Sequence, residues 1–360
     1  MSKTVVITGA AGRIAYSLIP LVCMGHCLGP NTRIRLHLLD VMAEDKLRGV
    51  AMEIEDCCYP LVDVVLTTLS PEEAFRGVDV AILLGGYPRL PGMERKDLIH
   101  RNAEGMMAQA QALERWASRD VKVLVVANPA NTNCLVAIKS APSIPASNFS
   151  CLTRLDEERL RGMVASKASA VLMARGDAPI RPEHVVDVCI WGNHSSNQVP
   201  YIDSGRIVRA DGAHVASLSS LFAASPPAEM QDLMMAVQTR GAAVIDKQKA
   251  SSGLSAAAAV AAHLTDWLGP NQPEKIFSMG VLSNGNTYAI PADLVYSFPM
   301  RRTSSGDGVE MVRDLPVSPS VRAMLDASTD ELLGEIRDAA SLEHMGELFV
   351  SALQPKPTST

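Results

Sequence analysis

Thr4-Val5-Val6-Ile7-Thr8-Gly9-Ala10-Ala11-Gly12-Arg13-Ile14-Ala15 is the stretch around which the chain is organised. The run Thr4 to Thr8, rich in β-branched residues, reads as a fully buried strand, and it stops at Gly9, where the backbone can take a positive φ. Gly12 and Ala15 share one helix face, and both are small enough to let the helix lie against the strand and present its first N–H groups. Such a helix N-terminus cradles a pyrophosphate. Taken alone, the turn is a weak signal that also suits close helix-to-strand packing. A second apolar run, Ile34 to Leu39, ends in Asp40, which places a carboxylate at the tip of the neighbouring strand. A carboxylate there accepts hydrogen bonds from the ribose hydroxyls of NAD and repels the extra phosphate of NADP. Val41 follows with no arginine pair nearby. The Gly12 to Asp40 separation exceeds the usual ~20 residues, and the excess lies in the Gly25 to Thr32 loop.

Outward from this start, strands are predicted at Val62 to Thr68, Val78 to Leu84 and Val121 to Ala127, with helical segments at Met42 to Cys58, Pro71 to Phe75 and Asp97 to Ala117. Strands joined by helices imply an α/β fold, a doubly wound parallel sheet with ligands at the carboxyl ends of its strands. Gly9, Asp40 and Gly85 are expected to line one crevice. The loop Tyr87 to Asp97 leaves that edge with two prolines and a glycine, carrying Arg89 and Arg95, either anion ligands or two solvated arginines. Asn128, after the fifth strand, suits a cofactor amide or substrate oxygen as well as an ordinary turn. Ala141 to Ser147 reads as a linker, giving domains at 1–150 and 151–360, the second an α+β unit ending in a helix.

The 360 residues suffice for two domains, and 47% hydrophobic with 20% charged residues describes a soluble globular chain. A net charge of −6 without a basic cluster argues against nucleic acid or an anionic membrane as partner. The seven scattered cysteines lack metal-ligand spacing and read as buried thiols in a reducing compartment. No metal site is expected. The first strand begins at once, leaving no room for a targeting segment, so the cytoplasm is the expected location.

In the second half, Asp156 and Arg159 stand at i and i+3 of a helix, by themselves a surface ion pair. Val185 to Ile190 reads as a strand running into Trp191-Gly192-Asn193-His194-Ser195-Ser196, which would carry His194 into a cleft. Gln231 to Asp246 and Ser251 to Trp267 read as helices, the Ala256 to Ala262 run suiting a crowded core or a dimer contact. Lys275 to Val281 and Leu294 to Phe298 read as strands of a smaller sheet, and Val317 to Val350 as a long amphipathic helix.

Together these blocks carry a resemblance. Thr8 to Ser17, Leu38-Leu39-Asp40, Gly92 to Leu98, Asn128 to Cys134, Cys151 to Asp156, Trp191 to Ser196 and Tyr288 to Pro299 resemble the malate dehydrogenase branch of the lactate/malate dehydrogenase superfamily, and are most similar to its cytosolic type. The resemblance implies a Rossmann-type first domain and hydride transfer between a 2-hydroxy acid and NAD. It puts the proton donor and acceptor on His194 with Asp156 as its partner, the 1-carboxylate of malate or oxaloacetate on Arg159, the 4-carboxylate on Arg89, and further substrate contacts on Arg95 and Asn128. The NAD site falls on Gly9, Gly12, Arg13, Ile14, Ala15, Asp40, Gly85, Asn102, Gln109 and Asn128. A homodimer is implied too. A broader 2-hydroxy acid dehydrogenase, acting on lactate-type or aromatic substrates, is the alternative, as is an NAD-binding protein without turnover. A short-chain dehydrogenase is poorly supported, since no tyrosine has a lysine four residues on.

Overall fold

The computed structural model describes residues 2–87, 95–209, 212, 214–269, 275–342 and 345–353, with only the backbone of Arg95. The first part of the chain alternates strand and helix: β1 (Lys3–Thr8), α1 (Arg13–Cys23), β2 (Ile34–Leu39), α2 (Glu44–Asp56), β3 (Val62–Thr68) and α3 (Pro71–Phe75). It continues through β4 (Val80–Leu83), α4 (Arg95–Trp116), β5 (Lys122–Val125), α5 (Ala130–Ser140) and β6 (Phe149–Cys151). These six strands are mutually parallel, in the order β6-β5-β4-β1-β2-β3. The order reverses between β1 and β4, which opens a crevice beyond their carboxyl ends. The α/β, Rossmann-type reading holds. Central strands such as β4 are buried at every residue, so the sequence shows continuous apolar runs rather than alternation.

The second part runs through α6 (Arg154–Ala174), β7 (Val185–Val186), β8 (Cys189–Trp191), β9 (Val199–Tyr201), β10 (Arg206–Val208) and β11 (His214–Ser217). Then come α7 (Leu218–Leu221), α8 (Pro227–Gln248), α9 (Leu254–Leu268), β12 (Phe277–Leu282), β13 (Val295–Arg302), β14 (Val309–Met311) and α10 (Pro319–Ala340). Here several expectations are corrected. β12 and β13 do not form a smaller sheet: with β14 they extend the main sheet antiparallel beyond β6, to nine strands. Short β6, falling just after the expected linker and across the expected helix start at Ser150, makes that join. The expected strand at Val185 to Ile190 is two strands in different sheets, broken at Asp187, whose φ is +59°. The C-terminal helix stops at Ala340. Five cysteines are buried, but Cys57 and Cys58 are exposed.

The alanine run serves the core within the chain. Ala256, Ala257, Ala259 and Val260 are buried on α9, and Thr265 donates to the His26 carbonyl at 2.5 Å, tying α9 to the loop after α1. At the start of α6, fully buried Arg154 pairs with Glu157 at 3.2 Å, Glu158 at 2.9 Å and Asp266 of α9 at 2.5 Å. Glu157 also accepts from the Ser278 N–H of β12. One guanidinium thus joins α6, α9 and the sheet. Arg154→Met is expected to cost about 3–5 kcal/mol of unfolding free energy, because buried Glu157 loses its paired cation and Asp266 keeps only Lys275, at 2.5 Å. Urea titration measures it, and a loss under about 1 kcal/mol would show the cluster to be dispensable.

Candidate active site

The β1–α1 turn, the tip of β2 and the end of β4 meet. Gly9 has φ +64°, and a Cβ there would stand 2.8 Å from the Gly85 Cα, so two chain segments approach as only glycine permits. The Gly85 N–H donates to Thr8 Oγ1 at 3.2 Å. Asp40 is drawn onto the turn, accepting from the Ala11 N–H at 3.1 Å and the Val41 N–H at 2.8 Å. Ala10 and Gly12 donate to Leu39 and Gly9 carbonyls. Among the described residues no backbone acceptor meets the N–H groups of Arg13, Ile14 and Ala15, in the first turn of α1. The glycine cradle, the open amides and the adjacent carboxylate fit a dinucleotide.

Beside this crevice lies a cavity of about 380 Å³ lined by Ile14, Asn128, Asp156, Arg159, His194 and Gln198, among others. The pair whose spacing alone reads as a surface ion pair is at its heart. Asp156 is fully buried and accepts from His194 Nδ1 at 2.5 Å through Oδ2 and from Arg159 Nη1 at 2.8 Å through Oδ1. Arg159 also donates to Ser252 at 3.3 Å. Burial alone would push the Asp156 carboxyl up; the His194 and Arg159 charges and the Gln198 amide outweigh it and hold it below the usual carboxylate range. Burial would pull the His194 imidazole down, and the Asp156 carboxylate more than offsets this, so its pKa is raised.

The turn carrying His194 is fixed from several sides. Trp191, fully buried, packs edge-on against Tyr201, Tyr288 and Phe298. Gly192 exchanges backbone hydrogen bonds with Ser297 of β13. The His194 N–H donates to Asn131 Oδ1 at 2.9 Å. Burial of Asn131 and Thr132 on α5 marks this as an internal junction.

The structure therefore brings Gly9, Asp40 and Gly85 into one crevice, and Ile14, Asn128, Asp156, Arg159 and His194 into one cavity. Gly12, Arg13 and Ala15 sit at the cradle; the Arg13 side chain reaches Gln248 at 3.2 Å. The Asn102 amide is spent on the Tyr87 backbone, at 2.5 and 3.1 Å, beneath the loop's root. Gln109 donates to the Gly105 carbonyl of its own helix and does not line the cavity. Arg89 and the Arg95 side chain lie outside the described residues. Sequence reasoning missed Ser252, Gln198, Gln238 and Gly241, all on the cavity wall. Of these only Ser252, beside a glycine at a helix start, carried a local signal.

The family model of the lactate/malate dehydrogenase NAD binding domain matches residues 3–150, and that of the lactate/malate dehydrogenase alpha/beta C-terminal domain matches residues 153–343. The chain is 43% identical over 333 residues to a protein named "Malate dehydrogenase, cytoplasmic" from Rattus norvegicus, covering 92% of this chain and 95% of that one. The crystal structure of malate dehydrogenase from Naegleria fowleri superposes with a TM-score of 0.79 at 34% identity, covering 94% of this chain and 98% of that one. The Trichomonas vaginalis lactate dehydrogenase in complex with NADH and oxamate gives 0.85 at 30% identity, covering 96% and 100%. With the cradle, the cavity and these likenesses in hand, the chain belongs to the lactate/malate dehydrogenase family.

Proposed function

We infer that this chain catalyses the reversible oxidation of malate to oxaloacetate with NAD, and that His194 takes and returns the proton. The observation that carries the reading is His194 held on a buried carboxylate that Arg159 shares, in a cavity adjoining a dinucleotide cradle. Malate loses a hydride from its 2-carbon and a proton from its hydroxyl. When bound, NAD supplies the hydride acceptor. His194, with Nδ1 committed to Asp156, has Nε2 left for the hydroxyl proton, and Asp156 stabilises the imidazolium that results. Arg159 holds the 1-carboxylate through a two-pronged contact and orients the reacting carbon. Asn128 contacts substrate and nicotinamide.

Arg89 takes the 4-carboxylate and Arg95 assists on the carbonyl oxygen, both roles resting on the sequence resemblance. A guanidinium at the distal end disfavours pyruvate, which would leave that charge unpaired. The NAD site comprises Gly9, Gly12, Arg13, Ile14, Ala15, Asp40, Gly85, Asn102 and Gln109, as well as Asn128. The division at 1–150 and 151–360 is supported by the two family models. A homodimer is supported by an apolar groove between α1 and α2 that includes Tyr16, Ile19 and Ile54, with Tyr16 55% exposed. No helix among the described residues is long and apolar enough to cross a membrane, and the relatives' names support the cytoplasm. The likeness to a lactate dehydrogenase favours a second reading, a lactate-type substrate range.

His194→Asn is expected to keep NADH binding, followed by fluorescence, while turnover falls about 10²–10⁴-fold; undiminished turnover would remove His194 from its role. In malate oxidation the neutral imidazole is the active form, so kcat/KM falls as pH drops through the His194 pKa. Asp156→Asn, which removes the main influence opposing burial, is expected to move that limb to lower pH and to lower kcat. A panel of oxaloacetate, pyruvate and phenylpyruvate with NADH and NADPH is expected to favour oxaloacetate with NADH. Comparable rates with pyruvate or phenylpyruvate would support the second reading.

A further inference from the structure

The turn carrying His194 is also held from the far end of the chain. Ser328, Glu331 and Glu335 stand at i, i+3 and i+7 along α10, on one face, and all three meet residues 193–195. Ser328 Oγ accepts from the Asn193 N–H at 2.8 Å. It also occupies the space beside Gly192, where a Cβ would fall 2.3 Å from it, and Gly192 has φ +90°. The Asn193 amide then donates to both acids, to Glu331 Oε2 at 3.0 Å and Glu335 Oε1 at 3.1 Å. Ser195 adds its hydroxyl to Glu331. Glu335 is 4% exposed and accepts from Thr132 of α5 at 2.7 Å, so its carboxylate joins α5, α10 and the histidine turn.

We propose that Glu335 is a positioning residue for the proton transfer, holding the His194 turn through Asn193 while placing a second buried negative charge on the residue next to His194. A carboxylate this deep persists only where donors surround it. The asparagine amide and threonine hydroxyl are two such donors. From α6, Asp156 meets His194 and Arg159 shares that carboxylate; from α10, Glu335 and Glu331 reach the flanking residues Asn193 and Ser195; the nearby residues of α5, Asn131 and Thr132, are uncharged, as is Gln198. Asp156 and Glu335 raise the proton affinity of His194, and Arg159 lowers it. Glu331 is instead committed to Asn193 and Ser195, one turn of helix away. The pair thus divides its work, Glu331 fixing the turn and Glu335 both fixing and charging it. This assignment rests on His194 as the proton-transferring group.

The test is the pH profile of kcat/KM for malate oxidation in the full chain, with NADH binding and the urea midpoint as checks on folding. Glu335→Gln is expected to move the limb governed by His194 to lower pH by about half a unit or more, with the corresponding limb of oxaloacetate reduction moving in the same direction. Glu331→Gln is expected to lower kcat with the limb in place. Glu335→Asp, which keeps the charge but shortens the reach to Asn193, is expected to lower kcat several-fold with little movement of the limb, and it serves if Glu335→Gln does not fold. An unmoved limb in folded Glu335→Gln, an equal shift in Glu331→Gln, or an unchanged kcat in Glu335→Asp would overturn the proposal. These failures leave the inactivity of His194→Asn untouched, whereas an active His194→Asn would remove the underlying assignment itself.

Discussion

The buried carboxylate of Asp156 is the constraint on which the functional half of this fold depends. An ionised carboxylate with no exposure is costly unless donors and cations compensate it. Arg159 comes from the same helix, one turn on, and needs only the helix to form. His194 comes from a distant turn, and to reach Asp156 that turn must be held against β13, α5 and α10 at once. The electrostatics are self-consistent. The raised His194 pKa stabilises the fold below the ordinary imidazole value and loses its effect as pH rises through the raised one. The lowered Asp156 pKa stabilises it above the ordinary carboxylate value and loses its effect as pH falls through the lowered one. Between these limits both partners are charged, and the proposed catalytic pair is also a structural ion pair.

Holding a turn that firmly requires a broad, rigid support, and the extended sheet supplies one. Because β12 and β13 run antiparallel beyond β6, the sheet that carries the dinucleotide cradle also carries Ser297, whose backbone pins Gly192. Cofactor crevice and histidine turn therefore hang on one hydrogen-bonded framework. Arg154 completes the arrangement from below, fixing the start of α6 to α9 just before Asp156 and Arg159 emerge into the cavity. The hydride-transfer geometry of the proposed reaction needs this rigidity, since small displacements between reacting centres are costly in rate.

Legibility in the sequence followed the range of the interactions. The cradle was readable because its signals are local: a strand, a glycine that only a positive φ explains, and a helix with small residues facing inward. The parallel strands were readable as apolar runs. What could not be read was pairing across long separations. Nothing in Lys275 to Val281 says whether it joins an existing edge or starts a new sheet, and β6 is three residues long, too short for a periodic signal. Asp156 and Arg159, an unremarkable i, i+3 pair by spacing, gain their meaning from burial that elements nearly forty or more residues away create. The roles of the loop arginines rest on the resemblance alone.

The same reasoning explains why α10, the most remote element in sequence, bears on the centre. A turn that delivers a histidine to a buried acid has polar backbone and side-chain groups of its own that must be satisfied out of water. Asn193 is buried, and its amide nitrogen needs acceptors. Two carboxylates on α10 meet that need. Their charge, forced on the site by the demand for acceptors, has the sign that suits an imidazole cycling through its protonated form. On the proposed role of Glu335, holding the turn and tuning the histidine are one solution rather than two. On the proposed assignment, moving, shortening or neutralising the helix on that face disturbs a proton transfer whose two principal groups lie elsewhere in the chain.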